Sequence, residues 1–173
     1  MKKLVLLLLL VCSLNACAVE VEKDISDEQR YFDLIEVIRS DQKFLEQSQY
    51  FEISTDMARI DNGYRYYIFI DNPRIALYEI EAMALVDGVD YHKVVAPSIG
   101  VLEDAIYNMV PNQTNTDKNY VKGLVLSGDC TTPNINLKMI VRWKDKTHSE
   151  YSSEYYAFGI DYVEAVDENI ETE

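Results

Sequence analysis

The sequence predicts a mainly β protein in which antiparallel strands form two packed layers after a single N-terminal α-helix. Three observations support this fold class. Apolar and polar residues alternate in several segments from residue 51 onward, turn-forming residues separate these segments at intervals of about ten residues, and an earlier segment has apolar residues at helical spacing. The chain has 173 residues, of which 48% are hydrophobic and 27% are charged, a composition typical of a globular protein with one domain.

The first residues of the chain have the pattern of an export signal. Lys2 and Lys3 precede an apolar run at residues 4–11, which is too short to span a bilayer but has the length of the apolar part of a secretory signal peptide. Residues 14–17, Leu-Asn-Ala-Cys, then resemble the lipobox of bacterial lipoproteins, with asparagine where that family usually has a small residue.

The lipoprotein resemblance implies where the protein lies in the cell. It implies that residues 1–16 are removed as a signal peptide, that Cys17 is acylated with chains such as palmitate, and that residues 17–25 tether the domain. The lipid anchor would hold the exported chain on the extracytoplasmic face of the bacterial cell membrane, since several acyl chains together give durable binding. The formal net charge of -14 disfavours binding to nucleic acid.

A helix is predicted over residues 26–48. Ser26 is a favourable N-cap residue, and Gln29 follows three positions later, as in a capping box. Apolar residues at helical spacing share one face of this helix, namely Tyr31, Leu34, Ile35, Ile38 and Leu45. We expect the helix to pack on its own domain.

The first two strands are predicted to form a hairpin around Asn62-Gly63. This dipeptide favours a type I′ turn, in which both central residues have positive φ. With these two residues as the loop, Met57 lies opposite Ile68. The apolar residues of the two strands then share one face of the hairpin.

Further strands are expected at residues 78–86, 105–109, 120–127, 135–144 and 148–158. The fourth of these is the clearest, because its apolar and polar residues alternate as in a half-buried antiparallel strand. Together with the hairpin, these strands form a domain at residues 49–160, and residues 161–173 form an acidic C-terminal tail. Strands at this spacing, joined by tight turns, fit an immunoglobulin-like or fibronectin-III-like antiparallel β-sandwich.

Few residues of the mature chain suggest catalytic or metal-binding chemistry. His92 and His148 have no metal-ligand spacing, and no cofactor is predicted. Cys130 has none of the local signatures of a catalytic cysteine, so we interpret it as a loop thiol that either has no role or is tethered to another chain. Carboxylates near Asp56 and Asp87 lie at predicted turns, where they could bind Ca²⁺, although solvated turn side chains explain them better.

Tyrosine is abundant, with 13 residues, and two clusters fall on predicted strands. Adjacent residues of a strand face opposite sides, so one member of each neighbouring pair should be buried and the other more exposed. Exposed tyrosines on a rigid sheet favour binding of a protein or glycan, while ordinary packing within the sheet also accounts for them. The candidate binding surface consists of Tyr64, Tyr66, Tyr67, Tyr151, Tyr155 and Tyr156.

The sequence therefore favours a non-enzymatic lipoprotein of the cell envelope whose β-sandwich domain binds a protein or glycan. One alternative is an exported hydrolase with an acidic site in loops 89–112, where Glu103 and Asp104 are the available carboxylates. Another is a structural or accessory subunit of an envelope complex, which a large exposed apolar patch would favour. Fold class alone does not decide between these functions.

Overall fold

The computed structural model describes residues 26–40, 42–147 and 149–164. Predictions for the signal peptide, Cys17, the tether and His148, and for nearly all of the acidic tail, lie outside these residues. Within them, no helix is long and apolar enough to cross a membrane. The described chain is mainly β, with two sheets and one N-terminal α-helix, as predicted.

Helix α1, Asp27–Arg39, begins at the predicted N-cap but ends well before residue 48. The Ser26 side chain accepts a hydrogen bond from the Gln29 backbone N–H at 3.2 Å. At the other end, Ser40 has extended backbone and its hydroxyl donates to the Val37 carbonyl at 2.7 Å, which satisfies one of the carbonyls left unpaired in the last turn. Leu45 therefore does not belong to the apolar face of the helix.

Within residues 42–147 and 149–164, eight strands follow the helix: β1 Phe44–Leu45, β2 Glu52–Ile60, β3 Gly63–Asp71, β4 Tyr78–Val86, β5 Ser98–Ile99, β6 Gly123–Cys130, β7 Asn134–Lys144 and β8 Tyr151–Asp161. One sheet has the order β1-β8-β7-β4-β5 and the other the order β2-β3-β6. All neighbouring strands are antiparallel except β1 and β8, which are parallel. The two sheets pack face to face around a shared apolar core, which is the arrangement of a β-sandwich.

The β2–β3 hairpin exists, but its turn and register differ from the prediction. The loop residues are Asp61 and Asn62, neither of which has positive φ, and Gly63 begins β3 with a φ of 145°. Met57 lies opposite Tyr66 instead of Ile68. Because the register differs by two residues, each side chain keeps its predicted face, since side chains in a strand alternate with a period of two.

Strand β4 is buried on both faces, because it lies in the middle layer of the molecule. Ile80 and Ala82 contact the core between the sheets. Met83 and Leu85 lie on the opposite face, where they pack with four buried residues of helix α1: Tyr31, Leu34, Ile35 and Ile38. The helix therefore covers the outer face of the five-stranded sheet.

The remaining differences concern strand ends and the long loop region. Strand β6 begins at Gly123 and continues through Gly128 to Cys130, so it lies later in the chain than the predicted strand 120–127. Strand β8 likewise begins at Tyr151 instead of residue 148. No strand forms at residues 105–109, where Met109 makes only an isolated bridge with Leu77.

Candidate functional site

A cleft with a volume of about 840 Å³ lies at one end of the sandwich. Its walls are the segment after β4, residues 87–97, and the last residues of β6, with the start of β7 between them. Val94 and Val95 line the cleft and are 51% and 72% exposed. Exposed aliphatic side chains at the mouth of a concave surface favour a binding role.

One wall of the cleft is the free edge of β6. This strand pairs with β3 along one side, and within the described chain no strand pairs with its other side. In an antiparallel ladder the backbone groups of alternate residues point to opposite sides, so an edge strand presents unpaired N–H and C=O groups. Residues 127–130 of this strand line the cleft.

The charged side chains that line the cleft are both acidic, Asp87 and Asp129. Arg65 donates to the two Asp129 carboxylate oxygens from Nε at 2.6 Å and from Nη2 at 3.0 Å. These hydrogen bonds hold the pKa of Asp129 below its usual value. No lysine or arginine lines the described cleft, which combines apolar side chains with these two carboxylates and with neutral polar residues such as Thr131 and Asn136.

Cys130 lies at the end of β6 and lines the cleft, so the prediction of a loop thiol is wrong. Its Sγ lies 3.3 Å from the carbonyl oxygen of Thr132, to which the thiol donates. Partial burial raises the pKa of the Cys130 thiol. A raised pKa keeps the sulfur protonated at neutral pH, which opposes a role as nucleophile.

The six predicted tyrosines do not form one surface. Tyr66 and Tyr156 are buried in the sandwich core, while their neighbours Tyr67 and Tyr155 are half-buried, which confirms the expected alternation. Burial raises the pKa of both Tyr66 and Tyr156. Tyr155 packs against the cluster beneath the helix, on the opposite side of the five-stranded sheet from Tyr156.

Tyr67 belongs to the outer face of the three-stranded sheet, which no described helix or strand covers. Its ring stacks on Phe69 with 6.2 Å between centroids. Phe69 pairs with Val125 of β6, which is 49% exposed. These three residues form a small apolar surface beside the strand that borders the cleft. Tyr64, by contrast, packs against Tyr162, with 5.2 Å between ring centroids.

Tyr151 belongs to a buried charge cluster centred on Glu81, which is 3% exposed. The Tyr151 hydroxyl donates to Glu81 at 3.1 Å, and burial together with this carboxylate raises the pKa of Tyr151 to about 12. Arg30 and Arg142 each place a nitrogen 3.5 Å from a different oxygen of Glu81. Since Arg30 lies on helix α1 and Arg142 on β7, the cluster joins the helix to the sheet.

The loop carboxylates proposed for a hydrolase lie beside this cluster. Glu103 accepts a hydrogen bond from the Gly100 N–H at 2.9 Å. Glu103 and Asp104 line a separate cleft of about 250 Å³ together with Glu81. No group of three or more metal-ligating side chains that could hold an ion occurs in the described part of the chain. His92 stacks on the ring of Phe32, with 5.3 Å between centroids.

Sequence reasoning did not find the cleft, because its walls come from segments far apart in the chain. The exposed Val94-Val95 pair was the one local signal, since two adjacent aliphatic residues in a loop are left without core partners. Comparison with protein-family models, with curated proteins and with solved structures finds no match. The functional inference therefore depends on the geometry of this chain.

Proposed function

We propose that this protein is a bacterial cell-envelope lipoprotein whose β-sandwich domain binds a protein or glycan without catalysing a reaction. The observation that carries the binding role is the cleft between residues 87–97 and the free edge of β6. Its exposed Val94 and Val95 have no core partners, and ligand sites are concave and largely apolar. The lipoprotein part of the proposal is supported by the sequence around Cys17.

We also propose that the sandwich is of the fibronectin-III-like type. In immunoglobulin-like sandwiches, strands A, B and E lie in one sheet and strands C, F and G in the other. Strands β2, β3 and β6 match the first set in order, and β4, β7 and β8 match the second, with β5 beside β4. This order supports the assignment, while helix α1 is an addition that covers the second sheet.

Lipid attachment is tested by metabolic labelling of cells with radioactive palmitate. We expect the full-length chain to be labelled and to fractionate with membranes, and Cys17→Ala to lose the label. Cys130→Ala is the matched control and should keep both properties, because this residue lies in the folded domain. A Cys17→Ala chain that retains the label would contradict the lipoprotein assignment.

Ligand binding is tested in the same cells with a photo-crosslinking amino acid placed at position 95. Position 75 is the matched control, because Ile75 is 41% exposed and does not line the cleft. We expect a specific crosslinked product, protein or glycan, from position 95 alone. If neither position yields a product, or if both yield the same products, a binding role for the cleft is contradicted.

A further inference from the structure

We propose that the cleft takes an extended peptide segment, with alternating apolar and basic residues, that adds to the free edge of β6 as a further strand. This inference rests on the proposed binding function and names the class of ligand. Strand addition to an exposed edge uses main-chain hydrogen bonds for affinity and pockets for alternate side chains for specificity.

The edge of β6 differs from the other strand edges of the molecule. Natural sheets protect their edges with short strands, charged residues or proline. The edge strands of the five-stranded sheet, β1 and β5, have only two residues each. The outer strand β2 contains Glu52, Asp56 and Arg59. Strand β6 is eight residues long, and Asp129 is its only charged residue.

The two faces of β6 predict the side-chain pattern of the peptide. Gly128 lies opposite the buried Tyr66, so its face of the strand points toward the core and the cleft. Alternate side chains of an added strand would point the same way and contact Val94 and Val95 across the cleft. Apolar side chains at these alternate positions would bury the exposed valines.

The remaining side chains of the added strand would lie on the outer face, beside Ser127 and Asp129. Both charged residues of the cleft lining are acidic, and the whole chain has a net charge of -14. Asp129 is already paired with Arg65, so the attraction for basic side chains comes from Asp87 and from the net charge of the chain.

The direct test uses the full-length chain in detergent and a synthetic peptide of about ten residues in which valine and lysine alternate. A peptide in which glutamate replaces each lysine is the charge control. We expect saturable binding of the first peptide by calorimetry, and binding of the control that is weaker by about tenfold or more. Equal affinity for both peptides, or binding of neither, would overturn the proposal.

Two N-methylated forms of the valine–lysine peptide test for strand addition itself. In one form the valine amides are methylated and in the other the lysine amides, so each loses the N–H groups that point to one side. Pairing with a single edge requires only one of these sets. We therefore expect one form to lose binding and the other to keep it, whereas equal behaviour of the two forms would overturn the strand-addition mode.

Site variants locate the bound peptide. Val95→Lys removes an apolar contact and adds a charge of the same sign as the peptide, so we expect affinity to fall by about tenfold. Ile75→Lys makes the same change outside the cleft and should bind like the unsubstituted chain. Equal effects of the two substitutions would place the peptide elsewhere. If the photo-crosslinks from position 95 persist while no peptide binds, the cleft binds a ligand but the peptide proposal is wrong.

Discussion

Gly128 of β6 lies directly opposite Tyr66 of β3, and the phenol ring of Tyr66 occupies the space that a side chain at position 128 would need. The hydroxyl and the ring carbon that bears it are the atoms nearest to that space. Tyr66 is only 2% exposed and lines the floor of the cleft. The absence of a side chain at one residue therefore allows a large aromatic ring to close the core below the proposed binding site.

We expect Gly128→Ala to destabilise the fold by about 1–3 kcal/mol, because the added methyl group must displace a ring that is packed in the core. The measurement is the free energy of unfolding in urea. Gly159→Ala is the matched control, since a Cβ there would meet only the exposed Asn136 side chain at 3.3 Å and a carbonyl at 3.7 Å. Equal stability of the two variants would mean that the Tyr66 ring can adopt another packing without loss of stability, which would contradict the prediction.

The hairpin and the helix indicate how much of the fold could be predicted from the sequence. Alternation correctly placed Met57 and Ile68 on one face of the hairpin even though the predicted register differed by two residues. The turn itself could not be predicted from the Asn62-Gly63 dipeptide, because the pairing of Ile60 with Gly63 moves the loop one residue earlier. The predicted helix is too long because the spacing of apolar residues does not show where a helix ends. Helix α1 ends at Arg39, and Ser40 is its C-cap.

The candidate site was harder to predict than the fold. Position within a strand correctly indicated that one of Tyr66 and Tyr67 is buried and the other more exposed, but not which one. The sequence pattern does not show that residues 87–97 lie next to the end of β6, because that contact depends on how a loop crosses the end of the sandwich. The six tyrosines therefore lie in different environments. Val94 and Val95 of that loop indicate the position of the cleft better than the tyrosines do.

Glu81 offers a test of how the helix is held on the sheet. We expect Glu81→Gln to lower the free energy of unfolding by about 2–3 kcal/mol, because it leaves Arg142 partly buried without a countercharge and leaves Arg30 with Asp27 as its remaining carboxylate partner. The comparison is Asp129→Asn, which removes an ion pair whose partners are both exposed and should cost far less. Urea unfolding of both variants measures the difference, and equal costs would contradict a stabilising role for the buried cluster.

The same cluster predicts a dependence of stability on pH at the alkaline end. Burial and Glu81 raise the pKa of Tyr151 to about 12 in the folded chain, above the usual value of 10.0. The folded state therefore holds this proton more tightly than the unfolded state, and the resulting stabilisation is complete below pH 10 and is lost as the pH rises toward 12. The difference between ultraviolet titrations of the unsubstituted chain and Tyr151→Phe isolates this tyrosine, and a midpoint near 10 would contradict the prediction.

The alkylation rate of Cys130 provides a second, independent test of the structure of the cleft. Because partial burial raises the pKa of its thiol, we expect alkylation by iodoacetamide at neutral pH to be slower than that of free cysteine and to accelerate in urea. Mass spectrometry of the tryptic peptide that contains Cys130 measures the rate without interference from other cysteines. Asp129→Asn removes a neighbouring negative charge that contributes to the raised pKa, so this variant should react somewhat faster. A folded-state rate equal to that of free cysteine would mean that the thiol is not shielded at the end of β6.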